Sequence, residues 1–306
     1  MNICYSAHFN FDLGLLAKLH PFDGVKFRRA YNKIANNPVY EFISPDSAIS
    51  QAVIEEFVDA LIALCLRDKN NILRALEVPQ IPFVGMRFLD RKILEPMRWG
   101  VAGTILSAKK ALEDKFCWNL SGGYHHASQH SIEGFCIYND IGIAYQELSK
   151  LGYISAEDKI LIIDTDAHHG NGNARTFMNN RNVIIVDAYN QDIYPTTPST
   201  RQRVDIPVTL QTGVRGKDYL EAYEHALSKI SEPYKIAFVI AGTDVLINDK
   251  LGGMRLTLND VERRENLTIA KLKELEIPTV ILSGGGYSNE SANAITKSIL
   301  ATSNLF

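Results

Sequence analysis

Asp164-Thr165-Asp166-Ala167-His168-His169-Gly170 closes the apolar run Ile160-Leu161-Ile162-Ile163, and the reading of this stretch decides the fold. An apolar run without polar alternation is how a strand covered on both faces reads, the situation of a parallel α/β sheet. In extended geometry alternate residues share a face, so Asp164, Asp166 and His168 are expected to project the same way. Two carboxylates and an imidazole at the end of a buried strand are costly unless something pairs with them. A divalent metal removes that cost, and oxygen and nitrogen donors without thiolate suit zinc or a similar ion. A single aspartate there reads most simply as a cap or turn residue; the D-x-D-x-H-H-G grouping lifts the metal reading above that one.

Other apolar runs end in the same kind of residue. Phe116-Cys117-Trp118-Asn119-Leu120 runs into Ser121-Gly122-Gly123-Tyr124-His125-His126, and Val183-Ile184-Ile185-Val186 into Asp187-Ala188-Tyr189-Asn190. Ile236-Ala237-Phe238-Val239-Ile240 runs into Ala241-Gly242-Thr243-Asp244, and Thr279-Val280-Ile281-Leu282 into Ser283-Gly284-Gly285-Gly286-Tyr287. Strand candidates alternating with helical stretches predict a parallel α/β sheet. The ligand crevice of such a sheet lies outside the carboxyl ends of its strands. Five strand ends would then bring histidines, aspartates and a tyrosine to one rim.

The first third reads as helical. Residues 22–36 predict a helix whose charged positions, Lys26, Arg28, Arg29 and Lys33, form a solvated face. Residues 46–67 carry Val53, Phe57, Leu61 and Leu64 at helical spacing, a core stripe. Across 78–96, Pro79, Pro82, Gly85 and Pro96 predict a long irregular loop of the kind that often serves a site. Near the end, 291–300 predicts a helix. No repeat or linker divides the 306 residues, so one catalytic domain over 1–306 is expected.

Bulk composition narrows the class. Hydrophobic content of 46% and charged content of 22% provide for a full core. A net charge of −3 lacks the basic footprint of direct nucleic-acid binding. Cys4, Cys65, Cys117 and Cys136 are scattered without a C-x-x-C, so neither a disulfide framework nor a thiolate zinc site is indicated. No apolar run approaches the length of a membrane span, and the N-terminus lacks a secretory pattern, so a cytoplasmic location is expected.

The chemistry concentrates at the rim. Asp166 and His168 offer two metal ligands and Asp244 a third, leaving a position open for water and substrate, as a catalytic site requires. His125 and His126 follow a glycine turn that lets the backbone approach a substrate. One can take a proton from water while its neighbour stabilises charge. Asp164 can orient a histidine. The glycine run before Tyr287 could cradle a phosphate, but it lacks the lysine of a P-loop. A Tyr287 hydroxyl donating to a developing oxyanion fits the rim better.

These residues carry a family resemblance. Gly122-Gly123-Tyr124-His125-His126, the Gly134–Asp140 stretch with Phe135, the 164–172 stretch, Ala241-Gly242-Thr243-Asp244 and Gly284-Gly285-Gly286-Tyr287 resemble, in order, the motif series of the zinc-dependent histone deacetylase superfamily. Within it the chain looks closest to class IV, on Leu19-His20-Pro21-Phe22-Asp23, the 77–82 and 91–94 stretches, Asp187-Ala188-Tyr189-Asn190, Ile193-Tyr194-Pro195 and Leu251-Gly252-Gly253. The resemblance implies an arginase–deacetylase fold, a three-layer α/β/α sandwich around a largely parallel sheet. It implies zinc on Asp166, His168 and Asp244, His126 as general base beside His125, and Tyr287 as the transition-state tyrosine. Gly134, Phe135 and Tyr194 would line the substrate tunnel. A potassium ion would sit near Asp164, Asp166, His168, Asp187 and Ala188.

Two positions and one stretch depart from the pattern. Asn171 stands where many relatives outside class IV place a carboxylate, so the His126 imidazolium should be less stabilised. His169 stands where class IV relatives often carry Gln, and residues 50–75 do not follow the class IV pattern. The resulting expectation is a zinc-dependent amidohydrolase that removes an acetyl or longer fatty acyl group from a lysine-like amine, in a protein, a peptide, a polyamine or another small amide. Its competitors are a binuclear manganese ureohydrolase and a non-catalytic acyl-lysine binder.

Overall fold

A computed structural model of the chain describes residues 1–11, 22–79 and 84–305. Its sheet contains β1 (Asn2–Cys4), β2 (Glu41–Ile43), β3 (Phe116–Asn119), β4 (Ile160–Asp164), β5 (Val183–Asn190), β6 (Ile206–Leu210), β7 (Ile236–Ile240) and β8 (Thr279–Leu282). The order is β2-β1-β3-β8-β7-β4-β5-β6, and every pairing is parallel. The five strands read from the sequence form one contiguous block, β3-β8-β7-β4-β5. Register places Asn119 beside Leu282, Leu282 beside Ile240, Ile240 beside Asp164 and Asp164 beside Asp187. The loops that follow therefore leave the sheet from one row and on one side.

Helices cover the sheet. Glu95–Asp114 packs on β1, β3 and β8, Gly216–Leu227 on β6, while Leu258–Glu274 packs on Ser291–Thr302, which in turn meets Lys26–Ile34. This is the three-layer α/β/α arrangement expected, and every residue of β3, β4, β7 and β8 is buried. Burying each Ile or Leu of β4 contributes about 1.5–3 kcal/mol relative to leaving it exposed, which explains the unbroken apolar run. Local chemistry sets the helix ends. Thr257 and Asp260 form a reciprocal capping box before Leu258–Glu274. Four free cysteines show that the fold does not depend on disulfides.

Several boundaries differ from the sequence reading. β5 continues through Asn190, because Asp187 and Asn190 are buried strand residues with internal partners rather than the start of a loop. Strands β1 and β2 have three residues each, too few for a periodic signal, and the edge strand β6 contains Pro207, which marks a segment as non-strand unless it lies at an edge. The 46–67 stretch splits into Gln51–Phe57 and Ala60–Cys65, each with its own cap, Ser50 and Asp59. That break rotates the second stripe, so Leu61 and Leu64 are 67% and 63% exposed while Ile62 faces the core. The 78–96 stretch is not a continuous loop: Met86–Leu89, a π turn at Asp90–Leu94 and the long helix follow one another. Pro96 sits in the first turn of that helix, where a missing N–H goes unneeded. The first helix spans Lys26–Ile34, and Lys26 is fully buried rather than solvated. Leu19, His20, Pro21, Gln80, Ile81 and Pro82 lie outside the described residues. No helix among the described residues is long and apolar enough to cross a membrane.

Candidate active site

The chain leaves extended geometry immediately after Asp164. The Asp166 N–H donates to Asp164 Oδ1 at 3.1 Å, and the His168 N–H donates to Asp166 Oδ1 at 3.0 Å. Two successive aspartate turns thus replace the continued strand, and the expectation of one shared strand face is corrected. Asp164, the last residue of β4, meets His125, and the coil beyond it gathers Asp166 and His168 with Asp244 from the β7 end.

Ligand atoms of Asp166, His168 and Asp244 all lie within 4.8 Å of one another. His168 Nδ1 is 2.7 Å from Asp244 Oδ2 and 3.2 Å from Asp166 Oδ1, so this nitrogen faces the two carboxylates. Backbone donors hold their other oxygens: Ala167 N–H on Asp244 Oδ1 at 2.8 Å and Gly285 N–H on Asp166 Oδ2 at 2.9 Å. Burial, then the nearby Asp166, pushes the Asp244 carboxyl up to about 7. Burial opposes charge on His168 and Asp166 too, but their mutual attraction, with Asp244 and His125, keeps the imidazole charged and the Asp166 carboxyl ionised. The cluster thus retains protons as substitutes for a cation. A divalent ion on two oxygens and one nitrogen fits that deficit.

Two histidines stand beside this group. His125 Nδ1 lies 2.7 Å from Asp164 Oδ2, and its Nε2 lies 3.7 Å from Asp166 Oδ1. Burial works against its charge, but Asp164 and Asp166 outweigh burial and push its pKa up to about 9. His126 behaves in the opposite way: its Nδ1 meets the neutral amide oxygen of Asn171 at 2.7 Å. Burial, then the charges of His125 and His168, holds its pKa well below the ordinary imidazole value. One imidazole is kept charged and its neighbour neutral, the separation an acid–base pair needs. Replacing Asn171 with Asp adds an anion at that contact, so the His126 pKa should rise; an NMR titration showing no rise would count against this assignment of cause.

Tyr287 completes the rim. Its ring is 6.4 Å from the His168 ring and 5.7 Å from Phe135, and burial, then Asp166 and Asp244, raises its hydroxyl pKa well above the usual value. The hydroxyl therefore remains a proton donor. Gly134 has φ +56°, and a Cβ there would collide with the His126 ring, which fixes this position as glycine. Tyr194, 43% exposed, lies 5.3 Å ring-to-ring from His126. An apolar cavity of about 110 Å³ opens off His125, His126, Asp166 and Tyr287 between Phe22, Phe27, Leu76, Phe88, Leu89, Ile93 and Met97.

Around the positions considered for potassium, Asp187 Oδ2 meets His169 Nδ1 at 2.6 Å and the Gly170 N–H at 3.0 Å. Its buried Oδ1 has no hydrogen-bond partner, a donor deficit that fits a cation. Two supporting residues escaped the sequence reading. Lys26 Nζ donates to the carbonyls of Gly284 and Gly285, both at 2.9 Å, and so braces the Tyr287 loop. Asp249 Oδ2 accepts the Tyr287 N–H at 2.7 Å. In sequence Lys26 reads as one more cation of a solvated helix; its burial, its two carbonyl bonds and its place over the Phe22 and Phe27 rings set it apart.

The chain as a whole resembles known proteins. The histone deacetylase domain family matches residues 20–303. Histone deacetylase 2 of Arabidopsis thaliana is 31% identical over 307 residues, 98% of this chain and 78% of that protein. An uncharacterised protein of Picosynechococcus is 34% identical, covering 88% of this chain and 87% of its own length. The crystal structure of the HDA15 HD domain superposes with a TM-score of 0.72 at 20% identity, over 100% of this chain and 90% of that one.

Proposed function

The chain belongs to the histone deacetylase family, and from that premise we propose that it is a zinc-dependent hydrolase that removes an acetyl or longer fatty acyl group from a lysine-like amine. The observation that carries this reading is the Asp166–His168–Asp244 group, bordered by His125, His126 and Tyr287, opening directly into an apolar cavity. We read residues 1–306 as one catalytic unit, nearest in its motifs to class IV.

Asp166, His168 and Asp244 would hold the ion, which supplies Lewis acidity toward the amide carbonyl and acidifies water. His126, neutral and with Nδ1 engaged by Asn171, presents Nε2 to take the proton from the attacking water. Tyr287 donates to the carbonyl oxygen as negative charge develops on it. His125, held charged by Asp164, steadies that charge, and a histidine proton passes to the departing amine nitrogen as the C–N bond breaks. Gly134, Phe135 and Tyr194 would flank the aliphatic stem of the substrate, the first two on the cavity lining and Tyr194 beside the His126 ring.

The cavity predicts the acyl preference. Each methylene it buries contributes about 0.8 kcal/mol, up to about fourfold in kcat/KM. Rates on a lysine peptide carrying acetyl, octanoyl, dodecanoyl and tetradecanoyl groups should therefore rise with chain length until the cavity is filled. A monotonic decline from acetyl would overturn the fatty-acyl part of the reading.

A further inference from the structure

Glu133 precedes the Gly134 turn and takes no part in the chemistry above. Its side chain is 31% exposed, yet its two carboxylate oxygens are held by three donors. Oε1 accepts from Arg175 Nη1 at 2.6 Å and from Asn171 Nδ2 at 3.2 Å, while Oε2 accepts from the Tyr194 hydroxyl at 2.8 Å. Arg175 also donates to Ser131 Oγ at 2.5 Å, which anchors the carboxylate from the far side.

The consequence lies one residue away. An amide has two ends of nearly equal size and opposite hydrogen-bonding character, so Asn171 alone would not fix which end meets His126. A carboxylate only accepts. Glu133 therefore keeps the Asn171 NH2 toward itself and the amide oxygen toward His126 Nδ1, at 2.7 Å. An amide oxygen also only accepts, so His126 Nδ1 carries the hydrogen and Nε2 carries the lone pair. We propose that Glu133 is a positioning residue for the general base: acting through Asn171, it fixes His126 in the tautomer able to take a proton at Nε2. The proposal rests on the reading of His126 as base.

The pairing explains a carboxylate at 133 together with an amide at 171. With the amide reversed, its NH2 would donate to Nδ1, and the hydrogen would have to sit on Nε2, leaving no lone pair for water. An aspartate at 171 could not reverse in this sense, because both its oxygens accept. The Arg175 contact already balances the Glu133 charge, which argues against a role in attracting a cationic substrate.

The test is the ring-nitrogen signature of His126 in the 15N-labelled full chain at neutral pH, with kcat/KM measured alongside. The wild type should show a single Nδ1–H tautomer. Glu133→Ala should show a mixture including the Nε2–H form and a kcat/KM about tenfold lower, the lower end of what such supporting partners contribute. In an Asn171→Asp background the same truncation should leave the tautomer fixed and produce no further loss. Tyr194→Phe, which removes only the Oε2 contact, should leave the tautomer unmoved. A wild-type tautomer retained in Glu133→Ala, equal losses in both backgrounds, or a tautomer shift in Tyr194→Phe would each overturn the proposal. Thermal melting verifies that each variant is folded. Failure of the wild type to hydrolyse any acyl-lysine would reject the deacylase reading, whereas the tautomer is measured without turnover.

Discussion

Asp166→Ala is expected to lower acyl-lysine hydrolysis by about 10³-fold or more, the equivalent of about 4 kcal/mol of transition-state stabilisation, and to lose bound zinc in the same preparation. The side chain contributes one of two carboxylates that face His168 Nδ1, and Gly285 N–H and His168 N–H both rest on it. Its removal takes away a ligand and leaves Asp244 and His168 with no second anion. Rate and metal content, measured on one sample, distinguish this from a simple loss of substrate binding: one zinc per chain is expected in the wild type and well under one in the variant. Two manganese ions per wild-type chain would instead favour the ureohydrolase alternative. That outcome runs against the sequence, where Gly170 follows the histidine pair and Leu246 lies two residues beyond Asp244, so neither position offers a further carboxylate to a second ion. Near-normal turnover by Asp166→Ala would falsify the ligand assignment outright.

What could be read from the sequence follows how each feature is encoded. The inner strands were legible because burial on both faces leaves only apolar residues, and the polar cluster ending each run marks the carboxyl edge of the sheet. Strands β1 and β2 were not, since three residues carry no period, and Pro207 disguised β6. The site residues were nameable one by one, yet their arrangement was not. The turn after Asp164 depends on side-chain-to-backbone hydrogen bonds, and a strand reading assigned the wrong geometry to the right residues. Lys26 and Glu133 were illegible for a related reason. Each acts through contacts with residues distant in sequence, Lys26 through Gly284 and Gly285, Glu133 through Asn171 and Tyr194. A charged residue looks the same in sequence whether it meets water or a glycine carbonyl.

Tyr287→Phe should reduce kcat by about 10²–10³-fold with little change in KM, the effect of deleting one donor aimed at a developing oxyanion. The phenyl ring keeps its edge contacts with Phe22, Phe135 and His168, so the packing of the cavity survives and the hydroxyl alone is tested. The loop is held independently of that hydroxyl, by Lys26 on two glycine carbonyls and by Asp249 on the Tyr287 N–H. Because burial and the two aspartates raise the hydroxyl pKa well above its usual value, it stays protonated through neutral and mildly alkaline pH. Its loss should lower the whole pH–rate curve without removing a limb, whereas loss of a titrating acid or base would reshape the curve. Metal content should be unchanged, in contrast to Asp166→Ala. A donor that acts only as charge develops strengthens its bond in the transition state and not in the ground state, which is why kcat and not KM should carry the change. An unchanged kcat, or a change confined to KM, would reassign Tyr287 to the wall of the acyl cavity.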